Sequence, residues 1–258
     1  MEPLRRVLEA VLPTTTGFSR VPEPEAACPC ADPAQCHQNG LVEAGPRTSA
    51  RCEKFAQWRA QQRRDTLLAG VSMPRRFRDS SLSHTTVPPE AAKALAACQA
   101  FLEHPSDRGL VLGGTAGTGK TYLVAGTVND LVGRGIECRF VVAPDLFGRL
   151  RQAFQDGASS EEILAAAMAV PVLAVDDLGT EKPTDWVREQ VYRLINRRYE
   201  ERLATLITTN LRPNELADSL GERIVSRMAQ MCEWVWVGGK DRRYEAGARA
   251  PERKSTWD

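Results

Sequence analysis

The sequence predicts an α/β protein whose parallel sheet is covered by helices on both faces, with a small N-terminal segment of different character ahead of it. Three observations predict this. From Gly109 onward, short apolar runs of β type alternate with helical segments. One of those runs leads into a glycine-rich turn that opens a helix, Gly114–Thr121. Four of the 7 cysteines crowd the first fifth of the chain, where large aliphatic residues are scarce. With 258 residues and 42% of them hydrophobic, one large domain plus a small appendage fits better than two equal domains. The same composition excludes a wholly disordered, collagen-like or repeat-fibre chain. Lys plus Arg number 34 against 33 Asp plus Glu, a net charge of +1, so any nucleic-acid contact has to come from a local patch. No apolar run approaches the roughly 18 residues of a membrane span.

Taken in order, Met1–Leu12 places Leu4, Val7, Leu8, Val11 and Leu12 at helical spacing before Pro13 stops the helix. That stripe packs either on the protein's own core or on a partner. An arginine pair without a following long apolar stretch is unlike a signal peptide, so a cytoplasmic, reducing compartment is expected. There, Cys28-x-Cys30-x5-Cys36-His37-x14-Cys52 reads as a tetrahedral Zn²⁺ site for a segment that has no core of its own, with His37 as an alternative ligand. Cys98, Cys138 and Cys232 sit in apolar surroundings and read as small core residues. Arg51–Leu68 reads as a connecting helix and Gly70–Leu82 as a loop. The expected organisation is a partner-binding region with zinc site and linker helix over residues 1–69, and the α/β domain over 70–258. Five strands are expected, at Leu110–Leu112, Cys138–Ala143, Val170–Val175, Ala204–Thr208 and Glu233–Val237.

The chemistry gathers at strand ends. Gly114-Thr115-Ala116-Gly117-Thr118-Gly119-Lys120-Thr121 matches G-x-x-x-x-G-K-[ST] between a strand and a helix. Its glycines let successive N–H groups face phosphate oxygens, and the helix adds its positive end. Lys120 is expected to neutralise β- and γ-phosphates and Thr121 to ligate Mg²⁺, with Tyr122 following in the helix as part of the nucleotide-binding set. Val172–Val175 is a buried strand that delivers Asp176 and Asp177 at its carboxyl end, where open α/β sheets bind ligands. Asp176 is the expected Mg²⁺ holder, and Asp177 the group that orients or deprotonates water. Thr208-Thr209-Asn210 ends the next strand, with Asn210 either a sensor of the γ-phosphate or a cap of the turn at Pro213. Arg223 and Arg227 share one helix face. They serve either a neighbour's γ-phosphate or local acids such as Glu222.

Together with Met73-Pro74-Arg75-Arg76-Phe77, Ile195-Asn196-Arg197-Arg198-Tyr199 and Gly221–Met228, these residues resemble the AAA+ P-loop ATPases. More narrowly they resemble the DnaC/DnaI-type helicase loaders and the related IstB-type transposition ATPases, over about residues 70–245. The resemblance implies an AAA+ core without a full helical lid, ATP and Mg²⁺ as cofactors, and self-association through the ATP site. It also implies a hexameric replicative helicase of DnaB type and single-stranded DNA as partners. Arg227 then becomes the trans-acting finger with Arg223 beside it, Arg243 the second-sensor arginine, and Asn210 the first sensor. Arg149 and Arg151, on helices that line a DNA channel in related proteins, become candidate phosphate contacts. Many AAA+ proteins carry Asp-Glu where this chain has Asp176-Asp177, and the shorter carboxylate implies slow, switch-like hydrolysis. The cysteine-rich start resembles the DnaI-like loaders and favours helicase loading over a transposition helper. A small-molecule P-loop kinase would have no need of Asn210 or the Arg223/Arg227 helix.

Overall fold

A computed structural model of the chain describes residues 41–45, 48–105, 108–156, 160–180 and 184–243. An antiparallel hairpin comes first, β1 (Leu41–Gly45) with β2 (Thr48–Arg51). The expected strands do not include it, since its small and polar residues carry no period-2 apolar signal. The connecting helix α1 runs Glu53–Val71. Arg51 therefore belongs to a strand rather than to the helix, and the stretch expected as loop from Gly70 begins with the last helical turn. Ser72, at φ 61°, ends that turn in the left-handed region. Short 3-10 turns follow at Arg75–Phe77, Leu82–His84 and Pro89–Ala91, then α2 (Ala92–Glu103).

The main domain continues as β3 (Gly109–Gly113), α3 (Lys120–Gly133), β4 (Cys138–Val142), α4 (Ala143–Gln155) and α5 (Ser160–Ala169). It closes with β5 (Val172–Asp176), α6 (Asp185–Glu200), β6 (Ala204–Thr209), α7 (Pro213–Leu220), α8 (Glu222–Met231) and β7 (Cys232–Trp236). All five expected strands of the main sheet are present, with ends shifted by one or two residues. They form one parallel sheet in the order β4-β5-β6-β3-β7. This is the sheet of an AAA+ P-loop core, with β3 between β6 and β7.

Alternation along the strands sorts side chains to the two faces. Leu110, Leu112, Ala174 and Leu206 pack under α2 and α3, whereas Val111, Leu173, Val175 and Ile207 pack under α4 to α8. Both faces are thus dry, as a parallel sheet requires. The segment ahead of the core is tied to α3. Asn129 Nδ2 donates to the carbonyls of Phe77 (2.9 Å), Arg78 (3.1 Å) and Ser80 (2.8 Å), and Leu82 N–H donates to Asp130 Oδ2 (2.9 Å). The Met73–Phe77 motif is therefore fastened to the helix that carries the phosphate loop. Among the described residues, no helix is long and apolar enough to cross a membrane.

Candidate nucleotide site

The loop between β3 and α3 is wound around one ammonium group. Lys120 opens α3 and is 5% exposed; its Nζ donates to the carbonyls of Gly114 and Thr115 and to Asn210 Oδ1, each at 2.8 Å. Thr118 Oγ1 closes the turn by donating to the Thr115 carbonyl at 2.9 Å, with Ala116 inside that turn. Gly117 (φ 77°) and Gly119 (φ 97°) hold the left-handed conformations that let the loop curl, which a side chain would oppose. Burial lowers the Lys120 pKa, the nearby Asp177 and Asp176 charges work against that shift, and Arg243 adds to it. Tyr122, on the first turn of α3, points outward and is 40% exposed.

The end of β5 supplies the acids. Asp176 is buried, and its Oδ1 accepts from Thr121 Oγ1 (2.9 Å) and Thr208 Oγ1 (2.6 Å). Burial pushes its carboxyl above the usual 3.8; the Thr208 hydrogen bond opposes this and the Asp177 charge reinforces it. Asp177 takes φ 56°, a left-handed geometry that Asp tolerates better than most residues. Its N–H donates to Thr208 Oγ1 at 2.9 Å. One hydroxyl on β6 therefore holds the Asp176 carboxylate and the Asp177 backbone. Its neighbour Thr209 donates to the Leu178 carbonyl (2.8 Å), and the Thr209 carbonyl receives Gly114 N–H (3.2 Å). Sequence reasoning placed a role on Asn210 and missed Thr208 and Thr209. The available signal was two hydroxyls in succession at the buried end of an apolar strand. The Thr121 hydroxyl and the Asp176 carboxylate, 2.9 Å apart, are a hard-oxygen donor set of the kind Mg²⁺ takes.

The chain returns to the phosphate loop after β7. Arg242 N–H donates to the Gly117 carbonyl at 3.1 Å, and Arg243 N–H to Asp241 Oδ1 at 2.9 Å. A side chain at Gly117 would collide with the Asp241 carboxylate. Arg243, expected as a second sensor, follows directly on this contact, and its charge adds a small part to the lowering of the Lys120 pKa. The supporting Asp241 was not foreseen, because nothing local to Lys240–Arg243 announces a contact with so distant a loop.

Other expected residues lie apart from this cluster. Arg227 packs against α6, with Nη2 donating to Tyr192 Oη at 3.3 Å and Cζ 5.4 and 5.3 Å from the Tyr192 and Tyr199 ring centroids. Among the described residues neither it nor the exposed Arg223 forms an ion pair, so the alternative of local pairing with Glu222 is not realised. Arg149 and Arg151 diverge around α4: Arg149 lines a small cleft with Arg139 and Asp145, while Arg151 lies 5.9 Å over the Trp186 ring. Phe154, 68% exposed on the same helix, was not foreseen as a site residue. Of the expected zinc ligands only Cys52 is described, buried at the start of α1. Cys28, Cys30, Cys36 and His37 lie outside the described residues, among which no cluster of three or more His, Cys, Asp or Glu forms a metal site.

Comparison with known proteins places this geometry among relatives. Residues 50–250 match the family of IstB-like ATP binding proteins. The chain is 29% identical over 159 residues to the replicative helicase loader DnaI of Bacillus subtilis, covering 57% of this chain and 51% of that protein. It is 27% identical over 128 residues to the replicative helicase loader DnaC of Escherichia coli, covering 49% and 52%. The chain thus spans about half the length of these curated relatives. Among solved structures, the DnaC helicase loader superposes with a TM-score of 0.59 at 29% identity, over 64% of this chain and 100% of that one. DnaI superposes with 0.59 at 30% identity, over 67% and 95%. AMPPCP-bound DnaA from Aquifex aeolicus, at 21% identity and a TM-score of 0.58 over 64% and 52%, shares the fold.

Proposed function

The chain belongs to the IstB-like ATP-binding protein family, and from that premise we propose that it is a slow ATPase that loads a replicative DNA helicase onto single-stranded DNA. One observation carries the nucleotide part: the first two residues of α3 are paired with residues at the ends of β6 and β5, Lys120 with Asn210 and Thr121 with Asp176. The Lys120 ammonium, now shared among two loop carbonyls and Asn210, is the cation for β- and γ-phosphate oxygens, with loop N–H groups around them. Thr121 and Asp176 would hold Mg²⁺, which would supply positive charge to offset that of the phosphates. Asp177 takes the proton of the attacking water, and Asn210 orients that water or the γ-phosphate. A base one methylene shorter than glutamate, on a backbone whose N–H is held by Thr208, suits a timer better than a motor. Arg227 of an adjacent copy, with Arg223 beside it, completes the charge at the γ-phosphate.

The helicase part rests on the kinship with DnaI and DnaC loaders. Single-stranded DNA is assigned to α4, where Arg149, Arg151 and the exposed Phe154 offer cations and a stacking surface. The zinc site of Cys28, Cys30, Cys36 and Cys52 belongs to the region proposed to grip the helicase, and stoichiometric zinc in the purified protein is its test. The second reading, a transposition helper, is favoured by the IstB-like family match itself. Two experiments decide. In a fluorescent-nucleotide titration, Lys120→Ala removes measurable ATP binding; retained affinity refutes the site. Affinity capture from the native host recovers a hexameric helicase on the first reading and a transposase on the second.

A further inference from the structure

Arg227 is held in an unusual way for an exposed-face cation. Tyr192 and Tyr199 stand two turns apart on α6, hence on one face. The Arg227 guanidinium from α8 lies between them, with Cζ 5.4 and 5.3 Å from the two ring centroids. Both distances are inside the roughly 6 Å reach of a cation–π contact. Nη2 donates to Tyr192 Oη at 3.3 Å, and Tyr199 Oη is itself fixed by donating to Gln230 Oε1 at 2.8 Å. A cleft of about 530 Å³ opens here, lined also by Glu222, Arg223 and Ser226. No carboxylate comes within ion-pair distance of Arg227 among the described residues.

The chemistry of that arrangement is specific. A carboxylate would immobilise the guanidinium but cancel its charge and occupy its fork. Two phenol faces immobilise it and leave the charge and most of its five N–H donors unspent. Among the described residues the contacts of Arg227 are with Tyr192 and Tyr199 and not with Lys120, Asn210, Thr121 or Asp176, so its unspent charge lies outside its own chain's phosphate cluster. We propose that Tyr192 and Tyr199 are positioning residues that preset Arg227 for the triphosphate bound by a second copy of this chain, and that their cleft receives that copy's phosphate end. This rests on the trans-acting role given above to Arg227.

A mixing experiment separates the two ideas. Subunits carrying Lys120→Ala cannot use ATP but can donate the arginine, and subunits carrying Arg227→Ala can bind ATP but cannot donate. Their mixture regains turnover that neither has alone. Adding Tyr192→Leu and Tyr199→Leu to the donor lowers the regained turnover about tenfold, the scale of two lost cation–π contacts. Tyr192→Phe with Tyr199→Phe, which keeps both rings, restores most of it. In the acceptor, where the arginine they hold is already gone, the leucines cost nothing further and fluorescent-nucleotide affinity is unchanged, which also shows that the doubly substituted chain folds. Undiminished turnover with leucines in the donor, or an equal loss with leucines in the acceptor, overturns the clamp while leaving the finger intact. A parent mixture without turnover overturns the finger, and the clamp falls with it.

Discussion

Asp176 illustrates how one residue can serve function against stability. Its carboxylate is buried and accepts two hydroxyl hydrogen bonds at Oδ1, yet burial still pushes its pKa above 3.8. Between the unfolded value near 3.8 and the higher folded value, the native state keeps a proton that the unfolded state has released. This group's contribution to stability therefore falls as pH rises through that window, and at neutral pH the buried charge is a standing cost. Asp176→Asn removes the charge but keeps an Oδ1 acceptor for Thr121 and Thr208. The nucleotide-free variant is expected to melt higher than the parent at pH 7, with the gap closing toward pH 4. The same variant loses Mg²⁺-dependent ATP affinity by about 10- to 100-fold, the range seen when a metal's supporting oxygen is lost. Scanning calorimetry across pH and a nucleotide titration with and without Mg²⁺ check the two halves; a lower melting point at pH 7 would contradict the first.

At the scale of the element, α6 joins three parts of the molecule. Trp186 lies under Arg151 of α4, Tyr192 and Tyr199 face α8, and Arg198 is driven into the base of the sheet with no exposure. Among the described residues that guanidinium forms no ion pair. Its Nε donates to Thr205 Oγ1 (2.9 Å), Nη1 to the carbonyls of Val170 (2.9 Å), Ala167 and Met168 (both 3.2 Å), and Nη2 to those of Ala204 (2.6 Å) and Pro171 (3.3 Å). Two of these carbonyls end α5, where the helix dipole is negative, and the rest flank the starts of β5 and β6. Burial pushes the Arg198 pKa down to about 10, so the charge is retained at neutral pH. Arg198→Met fills similar volume but orphans these carbonyls. It is expected to cost about 3 kcal/mol, seen as a lower urea midpoint at unchanged slope. Arg198→Lys recovers little, because a single ammonium cannot span the fork. In the sequence, Arg198 stood inside a recognisable motif, but its work depends on five carbonyls brought together by three separate elements. The hydroxyl of Thr208, the Asp241 contact with Gly117 and the tyrosines around Arg227 escaped for the same reason. The phosphate loop and Asp176 were legible because each sits in one contiguous strand–turn string whose chemistry is local. The five strands were legible because a two-sided core demands unbroken apolar runs.

For the molecule as a whole, a net charge of +1 leaves no global field to draw in nucleic acid, so the proposed binding of single-stranded DNA would have to come from a local patch. Residues on a helix advance by about 100° each, which separates Arg149 from Arg151 by more than half a turn and brings Arg151 and Phe154 to one side of α4. The two sides differ in structure as well: Arg149 lines a cleft with Asp145, whereas Arg151 rests on Trp186 beside a phenylalanine that is 68% exposed. An exposed aromatic ring next to a guanidinium is what stacking bases and phosphates use together. The two contacts should separate by salt. Phe154→Ala weakens binding to a single-stranded oligonucleotide by about 1–3 kcal/mol, nearly equally at low and high salt. Arg151→Ala weakens it mainly at low salt and reduces the slope of log affinity against log salt by about 0.7 for the one phosphate lost. Arg149→Ala, with Asp145 alongside, has the smaller effect of the two arginines. Fluorescence anisotropy over a salt series measures all three, and equal slopes for parent and Arg151→Ala would remove that arginine from the DNA surface. If Phe154 and Arg151 both respond as expected, the strand runs along the Trp186 side of α4, toward α6, the helix that also carries Tyr192 and Tyr199. DNA occupancy and nucleotide turnover would then meet on α6, and hydrolysis stimulated by DNA in the parent should lose that stimulation in Phe154→Ala while basal turnover stays unchanged.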